Sequence, residues 1–135
     1  MSMFCYQCEQ TAKGTGCNVL GVCGKEPTTA ALQDLLVYAL KDISRYTNRA
    51  RQLGSVDKAV NVFTVKALFS TLTNVDFDPT RFQALLREAA SIKERAKSLY
   101  EAACKRSGKT AEQLPCEVQW WACLLYTSPS PRDCS

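Results

Sequence analysis

Four cysteines stand within the first two dozen residues, Cys5, Cys8, Cys17 and Cys23, in the order Cys-x2-Cys-x8-Cys-x5-Cys. Thiolates are soft metal ligands, and four of them match either a four-cysteine iron–sulfur cluster or a closed tetrahedral zinc site. The chain contains no histidine, which removes mixed Cys/His sites and Rieske-type ligation. Cys5 and Cys8 are close enough in sequence to reach one centre from a single turn; Cys17 and Cys23 must fold back so that four sulfurs converge. Zinc ribbons usually carry two Cys-x2-Cys knuckles, and here the second pair is separated by five residues, so the spacing favours a cluster and leaves zinc as the alternative. Disulfides rank third, because a reducing cytosol keeps thiols free. The remaining four of the eight cysteines share no spacing. Of these, Cys104 and Cys116 read as small packed hydrophobes.

An iron–sulfur centre held by four thiolates stays anionic and needs donors and cations nearby. Four of the six glycines, Gly14, Gly16, Gly21 and Gly24, lie in the same segment, where they suit a chain wrapped around a compact object. Their N–H groups are candidates to point at sulfur, and Lys13 and Lys25 to offset charge. Phe4 and Tyr6 flank the first ligands, either as a shield against water or as ordinary core aromatics.

A scaffold must hold this loop, and the sequence supplies helices. Leu32, Leu35, Leu36, Ala39, Leu40, Ile43, Tyr46, Ala50 and Leu53 recur at steps of three and four from Thr28, between Pro27 and Gly54. A second helix is expected from the N-cap Asp57 to about Asn74, burying Val60, Phe63, Ala67, Leu68 and Leu72. A third begins at Asp78-Pro79 and buries Phe82, Leu85, Leu86, Ala89, Ala96, Leu99, Tyr100 and Ala103. Thr110 and Gln113 have capping-box spacing, which predicts a short fourth helix ending near Pro115. The expected fold is all-α: an antiparallel helical bundle over 27–121, preceded by a Cys/Gly-rich cluster-binding loop over 1–26.

At 135 residues the chain has room for one core. Hydrophobic residues make up 46% and charged residues 22%, and no apolar run reaches bilayer length. A soluble, cytoplasmic protein is expected, since no secretory signal is readable at the start. The net charge of +4 is dispersed, which argues against a nucleic-acid partner. The stretch from Cys123 to Asp133 carries two prolines without periodicity, and its reverse translation resembles a transposase-type sequencing adaptor read through in frame. Native sequence is therefore expected to stop near Trp121, with 122–135 excluded from the fold.

The run Met3-Phe4-Cys5-Tyr6-Gln7-Cys8-Glu9-Gln10-Thr11-Ala12, then Gly16-Cys17, Gly21-Val22-Cys23-Gly24-Lys25 and Leu32-Gln33-Asp34-Leu35-Leu36, closely resembles the start of the hybrid cluster proteins, also called prismane proteins or hydroxylamine reductases. The resemblance implies that Cys5, Cys8, Cys17 and Cys23 are the ligands of the proximal cluster, in the compact spacing of the [4Fe–4S] branch. It also implies a parent oxidoreductase that reduces hydroxylamine to ammonia, with reduction of nitric oxide to nitrous oxide also attributed to the family. In that family the catalytic hybrid iron–sulfur–oxygen cluster is held by later His, Glu and Cys residues. The fragment would then bind only the electron-relay cluster, and its implied partners are the missing carboxy-terminal domains and a redox electron donor.

Overall fold

A computed structural model describes residues 3–72 and 77–115. Three α-helices account for most of it: α1 (Pro27–Gln52), α2 (Lys58–Ser70) and α3 (Pro79–Arg106). Among the described residues there is no strand, only one isolated bridge between Cys5 and Cys17, so the helical expectation holds.

Local chemistry explains each helix start. Pro27 and Pro79 open α1 and α3, where a missing N–H costs nothing and φ is already helical. The Asp57 carboxylate accepts from the Ala59 N–H at 2.9 Å and that of Asp78 from Thr80 at 3.0 Å, satisfying one orphan donor at each end. Arg49 and Arg51 close α1 and Lys105 and Arg106 close α3, opposite in sign to the carbonyl ends they face.

The apolar stripes meet in one core, from Leu32 to Ala50 on α1, Val60, Phe63 and Ala67 on α2, and Phe82 to Cys104 on α3. Cross-links give the helix directions. Thr29 bonds the Phe77 carbonyl, Lys93 pairs with Asp42, and the Tyr46 and Tyr100 rings lie 6.2 Å apart, so partners advance together along α1 and α3. Along α2 and α3 they run in opposite senses, with Asp57 on Arg95 and Lys66 on Glu88.

Two expectations need correction. Leu68 and Leu72 are not core: each is about half exposed, as are Val62, Val65 and Phe69. Because α2 is apolar on both sides, its pattern does not choose a face; Ser70 and Thr71 take the inward positions after Ala67 and are buried. Their hydroxyls bond back to the Ala67 and Leu68 carbonyls at 2.6 and 2.7 Å, an alternative to the helical ladder that accompanies its end at Ser70. The expected extension to Asn74 falls outside the described residues. The second correction is the fourth helix, which does not form. Only four residues separate Thr110 from Pro115, too few for the costly first turn to be repaid. The segment instead lies over the core without regular structure, with Ala111 and Leu114 packed on it and the Glu112 N–H on the Tyr100 hydroxyl at 3.0 Å.

Candidate metal centre

The amino-terminal segment folds back on itself so that Cys5 faces Cys17. Each N–H donates to the other's carbonyl at 2.9 Å, the hydrogen-bonded form of an antiparallel pair, with Cα atoms about 5.5 Å apart. Directly opposed residues project from the same side of such a ladder. Gly16 makes the return possible: its φ is +133°, and a Cβ there would lie 2.4 Å from the Phe4 ring. Met3, Cys17 and Ala30 form a small second apolar cluster that seats this hairpin on α1.

A 3-10 turn, Ala12–Gly14, sits beneath Cys17. Its first N–H, from Ala12, points at Cys17 Sγ at 3.4 Å, and the Thr11 hydroxyl lies 3.7 Å from the same sulfur. These donors, with the Val22 backbone and the Lys25 charge, hold the buried Cys17 thiol below its ordinary range against the opposing effect of burial. Cys8 is half-buried and its carbonyl accepts from the Thr11 N–H at 3.4 Å. Cys23 is exposed, on a turn closed by Gly24 N–H on the Gly21 carbonyl and Gly21 N–H on the Lys25 carbonyl.

The glycine expectation is corrected here. The N–H groups of Gly14, Gly16, Gly21 and Gly24 bond carbonyls of Thr11, Ala12, Lys25 and Gly21, and the amide contacts to the Cys17 sulfur come from Ala12 and Val22. No sequence pattern marked Ala12 or Thr11. Lys13 is exposed, whereas Lys25 is buried and donates to Cys5 Sγ at 3.6 Å. Phe4 and Tyr6 are more than half exposed and so are not core aromatics; with Cys5, Gln7 and Lys25 they line a cleft of about 290 Å³.

Cys5, Cys8, Cys17, Cys23 and Cys104 are all free thiols. Cys104 is buried in the main core, as expected of a packed hydrophobe; Cys116, Cys123 and Cys134 lie outside the described residues. The backbone brings Cys5 and Cys17 together, but among the described residues no three Cys, Asp or Glu side chains are gathered as a metal site. Thiolates repel one another, and drawing ligands together is part of the free energy that a metal supplies on binding.

Comparison with known proteins places this hairpin in context. The description Prismane/CO dehydrogenase family matches residues 3–122, a span containing all four loop cysteines. The chain belongs to the prismane/CO dehydrogenase family. Among its prismane relatives, a hydroxylamine reductase of Geobacter sulfurreducens is 55% identical over 103 residues, 76% of this chain and 19% of the relative. Those of Geobacter metallireducens and Rhodospirillum rubrum are 48% and 47% identical over 90% and 87% of the chain, each covering 22% of the relative. The prismane chain thus spans about a fifth of the length of these curated relatives. Iron–sulfur chemistry fits its donor set: four free thiols, an amide donor on one sulfur and a buried cation on another.

Proposed function

We propose that this chain is the amino-terminal part of a hydroxylamine reductase, in which Cys5, Cys8, Cys17 and Cys23 hold a [4Fe–4S] cluster. The observation that carries the reading is the family match across all four cysteines, joined to a sulfur environment built to stabilise thiolate. When bound, such a cluster supplies one-electron transfer. The chain's own residues do the rest: Ala12 N–H and Thr11 hydroxyl orient and stabilise the Cys17 thiolate, the paired backbones of Cys5 and Cys17 fix two ligands, and Cys8 and Cys23 would be drawn in as the cluster binds.

The parent enzyme, on this reading, reduces hydroxylamine at a hybrid iron–sulfur–oxygen cluster carried by the missing carboxy-terminal domains, using electrons from a redox donor that enter through the loop. The relatives' name, hydroxylamine reductase, and their fivefold greater length support it. A cytoplasmic setting belongs to the same proposal, since thiols stay reduced there. So does the division into a cluster loop over 1–26, a helical bundle over 27–121 and non-native sequence over 122–135. The bundle corrects the all-antiparallel expectation, since α2 and α3 run in opposite senses but α1 and α3 run parallel; the family match, which ends at residue 122, supports the boundary there.

Anaerobic purification of the chain, with iron, sulfide and zinc assays, tests the assignment. The expected product is brown, with about four irons and four sulfides per chain, and Cys8→Ser loses most of its iron. A colourless protein with stoichiometric zinc would establish a zinc-stabilised module instead.

A further inference from the structure

Lys25 is the largest fully buried side chain among the described residues, 1% exposed. Its ammonium donates to Cys5 Sγ at 3.6 Å and to Gln7 Oε1 at 3.0 Å; Asp34 lines the same cleft, but the two groups that Lys25 bonds are a thiol and an amide. Burying a cation costs several kcal/mol unless an anion compensates it, so the fold holds this charge in place for an anion that a thiol and an amide do not supply. Two features keep it there. Gln7 donates its own amide N–H to the Thr71 carbonyl at 3.0 Å, which turns its oxygen toward Lys25. Gly21 lets the Lys25 backbone approach so closely that a Cβ would lie 2.9 Å from Lys25 Cβ and 3.0 Å from its nitrogen.

We propose that Lys25 is a positioning residue whose buried ammonium, oriented by Gln7 onto Cys5, raises the reduction potential of the cluster held by the four cysteines. The inference rests on the cluster assignment above. One electron from a low-potential one-electron donor turns a four-thiolate cubane from a dianion into a trianion, with no bond made or broken. A fixed cation against one ligand sulfur favours the more negative state, because net charge and contacts to sulfur set such potentials.

The test uses the full chain, reconstituted anaerobically with iron and sulfide and titrated with dithionite and redox mediators by electron paramagnetic resonance. Lys25→Met removes the charge and keeps the stem; its potential is expected to fall below that of the unsubstituted chain at equal iron content. Gln7→Glu keeps Lys25 but pairs it locally, and its potential is expected to fall as well. An unchanged or higher potential in iron-replete Lys25→Met overturns the proposal. Should Lys25→Met fail to retain iron, Lys25→Gln decides, being neutral yet still able to donate to Cys5 and Gln7: a lower potential supports the role and an unchanged one overturns it. An unsubstituted chain that takes up no cluster defeats the cluster assignment itself, and this inference with it.

Discussion

Removing the ammonium of Lys93, which is largely buried against Asp42, should strongly destabilise the fold. Lys93 Nζ lies 2.9 Å from Asp42 Oδ2, with the Asp42 side chain fully sealed and that of Lys93 only 14% exposed. At 2.9 Å and an effective dielectric of about 20, the gross attraction is about 6 kcal/mol. Desolvation of both ions offsets much of that, so the pair itself is worth far less than its Coulomb energy. Breaking it is another matter, because Lys93→Met leaves a carboxylate sealed between α1 and α3 without its cation, at a cost of about 3–5 kcal/mol. With a urea slope of roughly 1–2 kcal/mol/M for a domain of this size, the unfolding midpoint should drop by about 2 M or more. The double variant Asp42→Asn/Lys93→Met removes both charges and should return to within about 2 kcal/mol of the starting protein. Circular dichroism across urea gradients measures all members of the cycle. A loss below about 1 kcal/mol in Lys93→Met, the range of exposed pairs, would show that water reaches Asp42 and that the burial argument is wrong.

Gly21→Ala should cost about 1–3 kcal/mol through overpacking against the Lys25 backbone, read as a lower thermal midpoint together with reduced iron uptake. Asp57→Ala should lose about 1 kcal/mol from the α2 cap. The Arg95 guanidinium beside Asp57 holds that carboxyl below its usual range. Its stabilising contribution is therefore complete above the unfolded value of about 3.9 and is lost as pH falls through the lower folded value; acid titration of the Asp57→Ala variant should lack that step. On α2, Phe63→Ala should cost about 3–5 kcal/mol, whereas Phe69→Ser, on the exposed side, should stay within about 0.5 kcal/mol; equal losses would reverse the assigned face.

The helices were legible where the sequence carried both a period and a cap. α1 and α3 follow their apolar steps almost residue for residue, because each has one apolar and one charged side. α2 was half legible: Asp57 marked its start, but apolar residues around the whole helix left its inward face to be chosen by Ser70, Thr71 and the neighbouring helices. The Thr110 capping box failed because capping spacing is local, whereas helix survival depends on length. In the loop, the pairing of Cys5 with Cys17 lay behind the spacing of the cysteines, and Lys25 was readable as a nearby cation. Its burial was not, nor was the donor at Ala12, since any non-proline residue supplies a backbone N–H and only the turn decides which one faces sulfur.

The bond from Gln7 to the Thr71 carbonyl spans 64 residues and has a consequence for biogenesis. The segment that carries Cys5 and Cys8 acquires this seat only after the end of α2 has formed and packed, so its anchoring follows the docking of the helices.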